Sequence, residues 1–145
     1  MGMVRAVCIS EKKGTAKRNV DTAELVVQHG LKGDAHAGNG HRQVSLLAYE
    51  KVKAFSGGDI QIAHGDFGEN IVADGIDFAR LAIGTKLRCG NALLEVSQIG
   101  KECHNRCAIF NRMGDCIMPR EGIFGVVLVG GTVKTGDTIE IEVLA

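Results

Sequence analysis

Short apolar segments separated by glycine turns are the feature that most constrains how this chain can fold. The clearest case is TKLRC-GN-ALLEVSQI, where two alternating runs flank Gly90–Asn91, a pair that suits a tight hairpin turn. Glycine makes up 20 of the 145 residues, against a usual share of roughly 7%. Many glycines between short apolar runs favour turns and bulges over long helices. The pattern therefore predicts an all-β domain.

Alternating or continuous apolar runs predict several further strands. They fall at Met3–Ser10, Ala23–Val27, Ile60–Ile62, Asn70–Val72 and Gly122–Val129, and in the carboxy-terminal run TIEIEVLA. In that last run, Ile139, Ile141 and Val143 are expected to face inward, and Glu140 and Glu142 outward.

One segment, LLAYEKVKAF, has its apolar residues at helical spacing. We expect a helix beginning near Leu47, with Ser45 as its amino-terminal cap and Gly57–Gly58 at its end. No linker or composition shift marks a second domain. Residues 1–145 are thus predicted to form a single domain, a small closed or nearly closed β-barrel of about eight to ten strands with one or two short helices.

Charge and composition exclude some classes of function. The 17 basic and 17 acidic residues cancel and are interspersed, which argues against binding nucleic acid mainly through its phosphates. No run approaches the ~20 apolar residues that span a membrane, so no membrane partner is expected. The apolar part of Met1–Ser10 is too short for a signal peptide and is followed by EKKGTAKR. An odd number of cysteines, five, is then most simply interpreted as reduced thiols in a cytoplasmic protein.

Three of those cysteines are concentrated in QIGKECHNRCAIFNRMGDCIMPREGIFG, residues 98–125. Three interpretations remain open from the residues alone. Cys103, Cys107 and Cys116 could be buried structural thiols, although the charged neighbours in KECHNRC predict partial exposure. The same cysteines with His104 could hold a structural zinc ion, although the spacing departs from the usual two-plus-two pattern.

The third interpretation is a reactive thiol at Cys103. Positive charge close to a cysteine lowers its pKa and favours the thiolate, and Lys101, His104 and Arg106 lie within three residues of Cys103. A thiolate can ligate a soft metal, or can accept and donate sulfur as a persulfide. Arg120 could additionally hold a phosphate or another anion.

Several blocks of the sequence together resemble one known family. The blocks are GLKGDAHAGNGHRQVSLL, GDFGENI, VSQIGKECHNRC, GDCIMPREGIFG and GGTVKTGD, in that order from about Gly30 to Asp137. They are similar to the MOSC family, which is named after the carboxy-terminal domain of molybdenum-cofactor sulfurases. The resemblance implies a β-barrel and places the family's cysteine at Cys103, five residues after Gln98. This chain has Glu102 where many members have proline, and Cys107 is a second candidate thiol.

The resemblance also implies partners and cofactors. Members of the family are proposed to receive sulfur from a pyridoxal-phosphate-dependent cysteine desulfurase and to pass it to metal centres. Expected partners are therefore such a desulfurase and molybdenum-cofactor biosynthesis proteins or molybdoenzymes, and pyridoxal phosphate would belong to the partner. Related members bind the molybdenum cofactor (molybdopterin) with the cysteine as metal ligand, and reduce N-hydroxylated compounds.

The upstream blocks extend the predicted site. Asp34, His36 and Arg42 lie on glycine-rich turns, where their side chains could converge on a cofactor, and GDFGEN adds Asn70. Arg42 is the candidate for holding the cofactor's phosphate, by analogy with relatives. The alternative for Asp34 and Asn70 is turn chemistry, because Asx side chains often bond their own backbone. Three functions stay open: a sulfur carrier, a molybdenum-dependent reductase, and a non-catalytic module that binds zinc or another ligand.

Overall fold

The computed structural model describes residues 2–10, 17–34, 43–51, 69–76, 78, 81–99 and 122–142. Within those ranges the chain forms eleven β-strands. They are β1 (Gly2–Ile9), β2 (Arg18–Asn19), β3 (Thr22–Val26), β4 (Gly30–Leu31), β5 (Val44–Ala48), β6 (Ile71–Asp74), β7 (Lys86–Cys89), β8 (Ala92–Ile99), β9 (Ile123–Val129), β10 (Gly131–Lys134) and β11 (Thr138–Ile141). Residues 49–51 are helical.

Seven of these strands close into a barrel, in the order β1-β11-β7-β8-β9-β5-β6 and back to β1. The pairing of β1 with β11, Gly2 opposite Ile139 and Met3 opposite Thr138, closes the ring. Strand β2 pairs with the end of β1 outside the ring. The predicted fold class, an all-β closed barrel, is confirmed.

All neighbours in the barrel are antiparallel except β5 and β6, which run parallel. Parallel neighbours need a long crossover instead of a tight turn, and residues 49–70 supply it. The hairpin predicted around Gly90–Asn91 is formed by β7 and β8, which pair across these two residues with Cys89 opposite Ala92. Gly90 has φ 57° and Asn91 does not have a positive φ, which is the pattern of a type II′ turn.

A second sheet of three strands, in the order β10-β3-β4, covers one end of the barrel. Its residues Leu25, Leu31 and Val133 are buried in the same apolar cluster as the barrel interior. That cluster consists almost entirely of Val, Ile, Leu and Ala, with Phe78 as an aromatic exception. The two sheets therefore share one core.

Three expectations about individual segments are corrected. Ser45 does not cap a helix, because Val44–Ala48 is a fully buried strand between β9 and β6, and the helical turn starts only at residue 49. A continuous apolar run is typical of such a two-sided buried strand, and its spacing also fits a helix face. Ile139 is buried as expected, but Ile141 is 45% exposed at the end of β11. Gly131, expected in a turn, begins β10. The strand expected at Ile60–Ile62, and Val143, lie outside the described residues.

Candidate functional site

Two of the predicted site residues, Asp34 and Asn70, belong to the part of the chain that the structure describes. The remaining predicted site residues lie outside it: His36, Arg42, Lys101, Cys103, His104, Arg106, Cys107 and Arg120. Their roles stay predictions. The described residues nevertheless show what surrounds the points where these segments leave and rejoin the barrel.

Asp34 is buried at the end of the turn that follows β4, and its carboxylate hydrogen-bonds to Lys17 and Ser10. Its Oδ1 accepts hydrogen bonds from Lys17 Nζ at 2.7 Å and from the backbone N–H of Ser10 at 3.1 Å. The side chains of Lys17 and Asp34 are both fully buried, so this is an interior ion pair. Burial acts to raise the pKa of Asp34, but Lys17, Ser10 and the Asn70 side chain outweigh it and hold the pKa below its usual value.

Asn70 lies immediately before β6 and bonds two other strands with its side chain. Its Oδ1 accepts from the backbone N–H of Ser45 at 2.9 Å and from Ser45 Oγ at 3.1 Å. Its Nδ2 donates to the carbonyl of Cys8 at 3.0 Å. The Asn70 backbone adds bonds to the same two residues, donating to Ser45 and accepting from Cys8 N–H. One residue thus joins the end of β1, the start of β5 and the start of β6.

All buried polar and charged side chains within the described ranges lie in this region of the barrel. They are Ser10, Lys17, Asp34, Gln43, Ser45, Glu69 and Asn70, which we call the polar rim. Gln43 contributes through its Oε1, which accepts from the backbone N–H of Val127 at 3.0 Å. Burying a polar group costs free energy unless the group is hydrogen-bonded, so such groups are uncommon in an aliphatic barrel. Their concentration at one end indicates that this end has a role beyond core packing.

A row of register partners connects the polar rim to the strands that flank the cysteine segment. Ile99 and Ile123, which flank residues 100–121, are direct partners across β8 and β9. One residue further into the sheet, Phe124 pairs with Gln98 on one side and with Ser45 on the other. Adjacent strands are about 4.8 Å apart, so Ser45 lies roughly 10 Å from Gln98 along this row. Because β5 and β9 are antiparallel, the start of β5 and the start of β9 face opposite edges of the sheet, and the row through Phe124 is what links the polar rim to the strands that flank the cysteine segment.

Sequence reasoning identified part of the polar rim and missed part of it. Asp34, Gln43, Glu69 and Asn70 stand in the sequence blocks that carry the family resemblance. Lys17 has no such signal, because nothing in EKKGTAKRN distinguishes a lysine that will be buried from one that will not. A pairing partner that lies 17 residues away in sequence leaves no local signal.

The two described cysteines are structural. Cys8 and Cys89 are fully buried. Burial raises the pKa of Cys8 well above its ordinary value and that of Cys89 to about 12, so both favour the neutral thiol. The described residues contain no group of three His, Cys, Asp or Glu side chains arranged to hold a metal ion.

A depression of about 290 Å³ lies at the start of β1, lined by Gly2, Met3, Asp74, Gly136 and Thr138. The polar rim lies at the other end of β1, around Cys8 and Ser10. The depression is therefore separate from the polar rim. Among the helical residues described, no segment has the length and apolar character that a membrane span requires.

Comparisons with solved structures agree on the fold. The YuaD protein from Bacillus subtilis has a TM-score of 0.76 and 20% identity, over 97% of this chain and 96% of that protein. YiiM from Geobacillus stearothermophilus has a TM-score of 0.74 and 18% identity, over 98% and 75%. YiiM from Escherichia coli has a TM-score of 0.69 and 20% identity, over 99% and 71%. At this level of identity the likeness shows a shared fold.

The family assignment rests on the sequence itself. No curated protein matches the chain significantly. The model of the MOSC domain family, however, matches residues 32–140, a range that includes Asp34, Asn70 and the whole cysteine segment. Since the match extends over most of the chain and the barrel agrees with it, this protein belongs to the MOSC domain family.

Proposed function

We propose that this protein is a sulfur carrier in molybdenum-cofactor handling, with Cys103 as the acting thiol. MOSC domains are associated with molybdenum-cofactor functions. The observation that carries the proposal is the family match over residues 32–140, because it spans both the cysteine segment and the blocks around Asp34 and Asn70. The polar rim, which the register row through Phe124 links to the strands flanking that segment, supports a specialised polar framework in this barrel.

The donor groups proposed for the site suit the molybdenum cofactor. A cysteine thiolate is a soft ligand that suits a metal–sulfur centre, and arginine guanidinium groups suit a phosphate. Cys103 would contact the metal, and Arg42 and Arg120 would bind the phosphate of the pterin. When bound, the cofactor would supply the metal centre that accepts sulfur. The buried Asp34 and Asn70 would help to hold the strands of the barrel in register.

The sulfur step needs a thiolate and a persulfide donor. The Cys103 thiolate would attack the outer sulfur of a persulfide on a partner desulfurase, forming a sulfur–sulfur bond on Cys103. The partner's sulfur–sulfur bond breaks in the same step, and the partner cysteine leaves as a thiolate. Neither an external oxidant nor a reductant is consumed. Lys101, His104 and Arg106 would favour the attacking thiolate by their positive charge.

Intact mass spectrometry tests this proposal directly. The purified protein is incubated with a cysteine desulfurase and L-cysteine, and its mass is followed over time. We expect an increment of one sulfur that a reductant removes, that is absent in Cys103→Ser, and that remains in Cys107→Ser. Cys89→Ser is the matched control. Cys89 is buried with its pKa raised to about 12 and should not accept sulfur, so this variant should gain the same mass increment as wild type. If Cys107→Ser lost sulfur loading while Cys103→Ser retained it, the acting thiol would be Cys107 and not Cys103.

Metal and pterin analysis distinguishes the other two functions. The protein is purified from cells that synthesise the cofactor, and its molybdenum, zinc and pterin contents are measured. Stoichiometric molybdenum without sulfur loading would favour the molybdenum-dependent reductase. Stoichiometric zinc without pterin would favour the non-catalytic metal-binding module.

A further inference from the structure

We propose that Asn70 is a positioning residue, which fixes the ends of three strands of the barrel and does not contact the cofactor or the transferred sulfur. The MOSC block GDFGEN made Asn70 a candidate ligand, so this proposal assigns it a different role. The part of the proposal that concerns positioning the thiol rests on the sulfur-carrier function proposed above. The part that concerns the strands stands on the hydrogen bonds alone.

The first argument is that the Asn70 side chain has no hydrogen-bonding capacity left for a ligand. A carboxamide offers two acceptor sites and two donor hydrogens. Both acceptor sites are used by Ser45, through its N–H at 2.9 Å and its hydroxyl at 3.1 Å. One donor is used by the carbonyl of Cys8 at 3.0 Å, and the Asn70 side chain also hydrogen-bonds to the carboxylate of Asp34. A ligand would have to displace one of these bonds.

The second argument is where these bonds lie. Strands β5 and β6 are the parallel pair of the barrel, with Leu46 opposite Ile71, and Asn70 precedes that pairing by one residue. Its bonds to Ser45 and Cys8 connect the pair to β1 on the other side. Asn70 is itself fully buried. The Asn70 amide therefore fixes the register of β5, β6 and β1 at the point where the chain enters β6 after the connection of residues 49–70.

The third argument connects Asn70 to the base of the cysteine segment. Ser45, to which Asn70 makes four hydrogen bonds through side chain and backbone, is the register partner of Phe124. The carbonyl of Phe124 accepts a hydrogen bond from Ser97 Oγ at 3.2 Å, and Phe124 is one residue from Ile123, where the chain rejoins the barrel. A shift at Asn70 is thus transmitted through Ser45 and β9 to the strands that bracket residues 100–121.

Two substitutions separate positioning from ligand binding by stability alone. Asn70→Ala removes the hydrogen bonds that its side chain makes to buried groups of Ser45, Cys8 and Asp34, so we expect the unfolding equilibrium constant in urea to rise by roughly tenfold or more. Asn70→Asp keeps an acceptor for Ser45 but places a carboxylate oxygen against the Cys8 carbonyl and the Asp34 carboxylate. A residue whose amide faces a ligand would change the equilibrium constant little in either case.

Asn70→Asp also carries a pH signature. The described charged and titratable groups of this cluster are Asp34, Lys17, Glu69 and the Cys8 thiol, with a single cation among them. Burial and the neighbouring carboxylates would raise the pKa of the new acid, so its destabilisation should be greatest at pH 7. As pH falls toward 5, protonation restores a donor to Cys8, and the variant should regain stability relative to wild type. Absence of this recovery would argue against the proposed geometry.

The functional readout uses a matched destabilised control. Leu87→Ala removes a buried side chain from β7, which pairs with β8 and β11, whereas Asn70 joins β1, β5 and β6. Both variants are compared under conditions where circular dichroism shows them folded. We expect Asn70→Ala to slow sulfur loading of Cys103 by roughly tenfold or more, because small misplacements near a reacting group cost up to about a hundredfold. Leu87→Ala should load at the wild-type rate.

These measurements distinguish a ligand role, a general effect on stability and a positioning role for Asn70. Wild-type stability in Asn70→Ala, together with lost cofactor or sulfur binding, would make Asn70 a ligand and overturn the proposal. Equal slowing in Asn70→Ala and Leu87→Ala would reduce its role to general stability and would also overturn the positioning claim. If wild type takes up no sulfur, the proposed function fails, whereas the urea and pH measurements still decide whether Asn70 fixes the three strands.

Discussion

At the scale of single residues, the buried ion pair between Lys17 and Asp34 departs most from the aliphatic character of the core. Their side chains are fully buried, and Nζ lies 2.7 Å from Oδ1. Removing one member of a buried pair leaves an uncompensated charge and typically costs about 3–5 kcal/mol. Asp34→Asn and Lys17→Met should each lower the free energy of unfolding in urea by about that amount.

The double variant and the pH dependence check the cause. Lys17→Met combined with Asp34→Asn should cost clearly less than the two single changes added together, because neither charge is then left alone. The pKa of Asp34 is lowered in the folded state, so its contribution is present above the unfolded value near 3.8 and is lost as pH falls below it. Acid unfolding below about pH 4 should therefore be shallower in Asp34→Asn than in wild type. Additive costs with an unchanged acid limb would contradict an ionised pair.

At the scale of secondary-structure elements, the small sheet approaches the barrel most closely at Gly30, the first residue of β4. Its φ is +117°, and a Cβ there would lie 2.4 Å from the backbone oxygen of Gln43. Gly136 has a similar φ of +95° with no atom within 4 Å of its Cβ position. Gly136→Ala thus isolates backbone strain, which costs about 1–3 kcal/mol.

Gly30→Ala should cost at least about 1 kcal/mol more than Gly136→Ala, because the backbone of Gln43 must also move. Chemical denaturation of both variants measures the difference. Since Gln43 belongs to the polar rim, amide hydrogen exchange at Val127, whose N–H donates to Gln43 Oε1, should also accelerate in Gly30→Ala. Equal costs for the two glycines would show that β4 can withdraw from the barrel without penalty.

The elements also show which local signals in the sequence were sufficient. The β7–β8 hairpin was predictable because alternation, turn chemistry and pairing all lie within one short segment. Strand β5 was not, because a strand buried on both faces loses its alternation, and the spacing of its apolar residues also fits a helix. The polar rim was predictable only where its residues stand in family blocks, since the partnership of Lys17 with Asp34 is set by tertiary contact.

At the scale of the whole molecule, the closure of the barrel is the feature least visible in the sequence. It depends on the first and last strands of the barrel, β1 and β11, which meet through Gly2–Ile139 and Met3–Thr138. Backbone bonds extend the closure, from Val4 N–H to the Asp137 carbonyl and from Gly136 N–H to the Val4 carbonyl, each at 2.8 Å. Counting strands predicted a closed or nearly closed barrel, but pairing between residues so far apart in the chain has no local signature.

The closing strand offers a matched pair of substitutions. Ile139 is fully buried in the core, whereas Ile141, two residues later on the same strand, is 45% exposed. Ile139→Ala creates a cavity at the seam and should lower the free energy of unfolding by about 2–5 kcal/mol. Ile141→Ala should lower it by about 1 kcal/mol or less, because little apolar area leaves contact with protein. Urea denaturation of the two variants gives both values. Similar costs at the two positions would mean that β11 packs against the barrel differently, and that the ring is not closed through Ile139.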